Sequence, residues 1–191
     1  MPLPPGWTIW LTGLPGAGKT TLARGLQERL WRRGIAAVVL DSDAARPVLA
    51  PEAGYSGPAR ERFYGQLVAL ARLLNQEGAN VIVAATAHRR AYRAEARLAL
   101  APRFAEVWVR CSPAVCRERD PKGLYARAAA GEITDLPGLH VPYEPPDAAE
   151  VIVDSDREPV EVAVERILRQ APFLDAGSVV LGRATPSQTL P

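Results

Sequence analysis

An α/β fold with a mainly parallel sheet is what this sequence predicts, and three observations carry that expectation. Short apolar runs rich in β-formers recur along the chain, segments with three- and four-residue apolar spacing separate them, and the first run breaks at a glycine-rich turn that opens a helix. Strands that alternate with helices need crossovers. Crossovers impose parallel pairing, with helices on both faces of the sheet. The expected form is a three-layer α/β/α sandwich around five strands.

Taken in order, Trp7 to Thr12 is a buried strand that ends at the glycine turn. From Lys19 to about Arg33, Leu22, Ala23, Leu26 and Leu30 share one helical face, and Gly34 closes the segment. Ala36 to Leu40 is read as a second buried strand. A polar stretch follows, then a helix from about Pro58 to Gln76 that ends near Gly78. Asn80 to Ala85 makes a third strand, Arg90 to Leu100 a charged helix, and Phe104 to Arg110 a fourth strand. Val151 to Val153 is a short fifth, and Pro159 to Gln170 closes the domain as an amphipathic helix.

Between Asp120 and Pro146 there is no buried strand, and Gly123, Gly131, Pro137, Gly138, Pro142, Pro145 and Pro146 punctuate the segment. A long mobile insertion of this kind is usually functional, and a lid over about residues 120–146 is expected. Residues 1–175 are read as a single domain and residues 176–191 as a poorly anchored C-terminal tail.

Of the 191 residues 48% are hydrophobic, enough for one real core but cramped for two domains. The 23 basic and 21 acidic residues leave a formal charge of +2, which indicates neither a nucleic-acid nor a membrane partner. Only Lys19 and Lys122 are lysines; every other cation is arginine, which singles both out. The opening residues lack a basic region followed by a long apolar run, and no stretch approaches the roughly 20 apolar residues of a membrane span. A soluble cytoplasmic protein is the expectation. Cys111 and Cys116 fit neither a disulfide framework nor a metal-ligand pattern and read as packed thiols, while His88 and His140 are isolated.

Gly13-Leu14-Pro15-Gly16-Ala17-Gly18-Lys19-Thr20 matches G-x-x-x-x-G-K-[ST] in full, after a buried strand and at the opening of a helix. Backbone N–H groups of such a turn, with Thr21 just inside the helix, converge on an anion at the helix's positive end. Lys19 would neutralise the β- and γ-phosphates of ATP, and the Thr20 hydroxyl would help to hold Mg²⁺. The architecture is therefore of the P-loop NTPase type. No strand ends in the apolar run plus aspartate of a Walker B element, and no N-K-x-D segment is present. Those absences argue against motors and GTPases and favour phosphoryl transfer to a metabolite.

Asp41 and Asp43 stand two apart after the second strand, at the sheet edge where ligands bind, and an extended segment would aim both the same way. One carboxylate would attend to Mg²⁺, and the other would orient an acceptor hydroxyl and take its proton. The bland alternative is a solvated turn with an aspartate as helix N-cap. Arg46 and Arg60 would grip an anionic acceptor.

The sequence resembles the adenylylsulfate (APS) kinase family, which transfers the ATP γ-phosphate to the 3′-hydroxyl of adenosine 5′-phosphosulfate. Arg119-Asp120-Pro121-Lys122-Gly123-Leu124-Tyr125, then Ala130-Gly131-Glu132-Ile133 and Pro142-Tyr143-Glu144-Pro145-Pro146, look like that family's lid with nearly its full spacing. Phe104 to Val109 and Ser112 to Cys116 resemble the strand and helix before it, and the similarity runs from Trp7 to Phe173. The resemblance places Asp41 and Asp43 in the family's D-G-D-N element and implies Asp43 as the base and Asp41 as the Mg²⁺ partner, with Arg46 at the arginine that follows and Arg60 at an APS-binding arginine. It implies that Tyr55 stacks on the APS adenine, that Lys122, Gly123 and Leu124 help to enclose substrate, and that Arg119 borders the ATP adenine. Family members are often dimers, so a homodimer is one expected assembly.

The departures fall mostly on the acceptor side. Ser42 and Ala44 replace the glycine and asparagine of D-G-D-N, Phe63 replaces an asparagine, and Ala87-His88-Arg89-Arg90 lacks the usual I-S-P. Leu136 replaces the second aromatic of the adenine clamp and Ala129 a lid arginine. Two other readings therefore stay open: a related kinase acting on another nucleotide-linked or small hydroxyl metabolite, and a nucleotide-binding module without turnover.

Overall fold

Residues 4–51, 54–171 and 173–174 are described by a computed structural model; the tail expected at 176–191 lies outside them. Five strands, β1 (Thr8–Thr12), β2 (Ala37–Asp41), β3 (Asn80–Ala84), β4 (Phe104–Arg110) and β5 (Val151–Asp154), form one sheet in the order β2-β3-β1-β4-β5. Every pairing is parallel, with Ile9 opposite both Ile82 and Ala105. The chain leaves central β1 for β2 on one side and later fills β4 and β5 on the other. The carboxyl end of β1 is thus the switch point where α/β sheets bind ligands.

Strand alternation divides the core into two layers. Trp7, Ile9 and Leu11 pack with Ile82, Ala105 and Val107 beneath α1 (Lys19–Arg32) and α7 (Val160–Gln170). On the other face, Trp10, Val81, Val83 and Phe104 pack beneath α3 (Gly57–Gln76) and α4 (Arg90–Leu100). A strand apolar on both faces is what a doubly covered sheet demands. Its polar residues are satisfied: Thr8 Oγ1 donates to Asn75 Oδ1 at 2.7 Å, and Thr12 Oγ1 to the Thr86 carbonyl at 2.7 Å. No helix among the described residues is long and apolar enough to cross a membrane.

Three expectations are revised. The second strand is only half-buried, because β2 is an edge strand and Val38 is 40% exposed. The polar stretch after it holds a helix, α2 (Ser42–Leu49), with Asp41 as N-cap and Pro47 inside. At eight residues, with Pro47 inside and none fully buried, it is too short a pattern to read as a helix. The lid segment holds a short helix too, α6 (Leu124–Ala129), which follows α5 (Pro113–Arg119). Asp120 caps α6 by accepting from Tyr125 N and Ala126 N at 3.1 and 2.9 Å. Tyr125 pins the segment to the glycine turn by donating to the Pro15 carbonyl at 3.1 Å. Cys111 and Cys116 are buried free thiols.

Candidate active site

The turn between β1 and α1 wraps tightly. Gly16 and Gly18 take φ of 79° and 89°, and a Cβ on Gly16 would lie 2.7 Å from the Cys116 carbonyl oxygen. Lys19 curls back and donates from Nζ to the Gly13 and Leu14 carbonyls at 3.0 and 2.9 Å. Burial pushes the Lys19 ammonium down to about 8, with Asp43 the largest of the neighbouring charges that oppose the shift. Leu14 and Ala17 do not present side chains to the loop's interior: Ala17 is fully buried and Leu14 packs against Gly138, so both offer only backbone.

A cavity of about 550 Å³ opens over this turn, lined by Lys19, Thr20, Thr21, Asp41, Asp43, Arg119, Lys122 and Leu124 among others. The two lysines of the chain therefore meet at one site. Thr20 Oγ1 donates to Asp41 Oδ2 at 2.6 Å, and Asp41 Oδ1 accepts from Asp43 N at 2.9 Å. Burial works against the Asp41 charge, but those two hydrogen bonds and the Lys122 ammonium outweigh it and hold its pKa below the usual carboxylate range. The expectation that Asp41 and Asp43 project alike from an extended segment is corrected. The chain turns helical at Ser42, so Asp43 lies in the first turn of α2 while Asp41 caps it.

Asp43 reaches the lid by an ion pair with Lys122. Their side chains are 63% and 50% exposed, so the pair contributes about 0–1 kcal/mol and parts readily when a ligand competes. Gly123, at φ 63°, starts α6 beside Lys122 and is not among the cavity-lining residues. Arg119 borders the opposite end, where it donates to the Ser155 carbonyl at 2.8 Å near Val153, Glu158 and Val160.

A second cavity of about 530 Å³ is lined by Tyr55, Arg60, His88, Arg89, Asp135 and Glu144, with Val141 and Pro142 at its lid side. Two short spans join it to the first. Asp43 and Arg46 share α2, and the Arg46 guanidinium lies 4.6 Å from the Tyr55 ring centroid and 3.9 Å from that of Phe63. Thr86 lines the first cavity and His88, two residues on, lines the second. Arg60 is 5% exposed and donates to the Asp135 carbonyl and carboxylate at 2.7 and 3.0 Å. Phe63, in place of an asparagine, is fully buried and backs Arg46 as a flat face.

Several functional supports escape sequence reasoning. Tyr143 donates to Thr12 Oγ1 at 3.1 Å, which ties the returning lid to the end of β1. Arg93, 2% exposed in α4, donates to Glu106 at 2.7 Å, to the Glu144 carbonyl at 2.6 Å and to the Ala87 carbonyl. Ala87 holds a left-handed φ of 39°, and its N–H donates to Tyr64 Oη at 2.9 Å. The visible signal for Arg93 was its place on the apolar stripe with Ala96 and Leu100.

Comparison with known proteins agrees with this geometry. Residues 5–154 match the sequence profile described as Adenylylsulphate kinase. The adenylyl-sulfate kinase of Paraburkholderia xenovorans (strain LB400) is 42% identical over 163 residues, 85% of this chain and 91% of that one. A probable adenylyl-sulfate kinase of Pyrococcus abyssi (strain GE5 / Orsay) is 42% identical over 166 residues, 87% and 95% of the two chains. The Mycobacterium tuberculosis APS kinase CysC, solved in complex with AMPPNP and APS, superposes with a TM-score of 0.83 at 35% identity, covering 87% of this chain and 98% of that one. With its phosphate loop, paired aspartates and lid in one cleft, the chain belongs to the adenylylsulphate kinase family.

Proposed function

We infer that this protein transfers the γ-phosphate of ATP to the 3′-hydroxyl of adenosine 5′-phosphosulfate, giving 3′-phosphoadenosine 5′-phosphosulfate. One observation carries the reading: Lys19, Lys122, Asp41 and Asp43 converge on the cavity over the phosphate loop, joined through α2 to a cationic, aromatic second cavity. The first fits the triphosphate donor, with Arg119 toward its base; the second, with Tyr55 and Arg60 on its wall and Arg46 against the Tyr55 ring, fits a nucleotide acceptor.

Lys19 leaves the Gly13 and Leu14 carbonyls for the β- and γ-phosphates, while the loop N–H groups cradle them. Thr20 Oγ1 and Asp41 Oδ2 form a pair of hard oxygen donors that would hold Mg²⁺, which would supply positive charge against that of the phosphates. Asp43 exchanges Lys122 for the acceptor hydroxyl and takes its proton. That oxygen then bonds to the γ-phosphorus as the bond to the β,γ-bridging oxygen breaks. Lys122 and Leu124, carried on the lid, close over the phosphates and keep water from competing.

The test is product formation from ATP, Mg²⁺ and APS, beside a panel of other acceptor alcohols. Phosphate on the 3′-oxygen is expected for APS, and the Asp43→Ala variant should keep ATP binding while transfer falls by about 10²–10⁴. ATP consumption on another alcohol, with none on APS, would remove this reading.

A further inference from the structure

His88 occupies an unusual position in the second cavity. It is 4% exposed, yet its Nδ1 is buried without a hydrogen-bond partner, and no described residue bonds its other ring nitrogen. Nδ1 is sealed off by protein, so Nε2, which no described residue bonds, is the ring nitrogen through which this imidazole on the cavity wall can meet a ligand. The ring is held firmly: its edge packs on Tyr92 with centroids 5.6 Å apart, and the His88 carbonyl accepts from Glu144 N at 2.8 Å. The left-handed Ala87, clamped from both sides by Tyr64 and Arg93, sets the direction in which the next residue leaves the sheet.

We propose that His88 is a specificity-determining residue that hydrogen-bonds, as a neutral imidazole, to the edge of the acceptor's purine base while Tyr55 supplies the stacking face. This rests on the acceptor being APS. The chemistry of the wall divides the work. Arg60, Arg89 and Arg93 face the ring from α3, the 86–89 loop and α4, and Glu144 faces it from the lid return. Burial first, then Arg60 and Arg89, push the His88 imidazole down to about 4, with Glu144 opposing. At neutral pH it adds no charge for an anion. It offers one N–H donor and one acceptor nitrogen, groups that suit an uncharged heterocycle edge. Arg60 and Arg89, which line the cavity, are left to hold the acceptor's phosphosulfate, while Arg93 stays committed to Glu106 and two carbonyls.

The experiment compares the parent with His88→Phe, which keeps a ring of similar size, and His88→Gln, which keeps a polar group near the Nε2 position, after thermal melts confirm folding. Loss of one buried hydrogen bond raises the KM for APS about tenfold in His88→Phe, with partial rescue in His88→Gln and no change in the KM for ATP. The parent prefers APS over inosine 5′-phosphosulfate, whose base reverses donor and acceptor at one edge, and His88→Phe brings that preference close to unity. An unchanged KM, or a raised KM with the base preference intact, overturns the proposal. Because the chain has two histidines, His88 and His140, imidazole nitrogen NMR of the parent reads the site without mutation. APS added with a non-hydrolysable ATP analogue shifts the His88 ring signals and leaves those of His140 in place. APS that binds without moving His88 overturns the proposal and leaves the kinase reading standing. If the parent neither binds nor phosphorylates APS, both fall.

Discussion

Replacing Arg93 by methionine, which preserves much of the stem volume, should be among the most damaging changes in the protein. Glu106, 6% exposed, would keep only Arg97 at 3.5 Å as a cationic partner. Breaking a buried pair from one side costs about 3–5 kcal/mol. The Ala87 and Glu144 carbonyls would also lose their guanidinium donor, adding about 1 kcal/mol for the pair where water reaches part of the gap. The expected loss is about 4–6 kcal/mol, against a total stability of about 5–15 kcal/mol. At about 2–4 °C per kcal/mol for a domain this size, Tm falls by about 10–20 °C. Urea unfolding followed by circular dichroism measures the loss. Combining Arg93→Met with Glu106→Gln removes the uncompensated charge and recovers much of the stability, but leaves Ala87 and the lid return untethered. The double variant should therefore melt near the parent while its KM for APS stays raised. A loss below about 1 kcal/mol in the single variant would show that water or Arg97 replaces the bond, and would end the view of Arg93 as the hub of the acceptor loop.

Three further outcomes follow from the donor side. Below about pH 8 the free enzyme's Lys19 is mostly protonated and attracts triphosphate. As pH rises through that value the charge is lost and kcat/KM for ATP should decline toward tenfold per unit, a limb absent from Lys19→Met. The same depressed pKa means that the unfolded chain holds the Lys19 proton more tightly, so between about pH 8 and 10.5 the parent without ligand gains stability relative to Lys19→Met, while Cys116, pushed up to about 12, draws both profiles down. A Cβ at Gly16 meets the Cys116 carbonyl at 2.7 Å with φ at 79°, so Gly16→Ala should weaken ATP binding at least tenfold by isothermal calorimetry.

Much of the fold was legible because it rests on repeated local signals. Two-sided burial makes β1, β3 and β4 read as apolar runs, and the stripe of Leu22, Leu26 and Leu30 makes α1 plain. Helix α2 was missed since it spans only eight residues, buries none of them fully and carries Pro47. At the site, the glycine loop and the lysine-poor composition led directly to Lys19 and Lys122. The Asp41 and Asp43 geometry was misjudged because their projection depends on where the strand ends, a boundary that spacing does not fix. Arg93, Tyr64 and Glu106 were invisible as supports, for their roles come from pairings across α4, α3 and β4 that only the folded chain brings together. His88 looked isolated in sequence for the same reason.

The most direct measurement is a crystal structure of the protein with a non-hydrolysable ATP analogue, Mg²⁺ and APS. The Asp43 carboxylate is expected within about 3 Å of the 3′-oxygen, released from Lys122, with that oxygen in line with the γ-phosphorus. A carboxylate still paired with Lys122 and turned away from the acceptor, with both nucleotides bound, would contradict it.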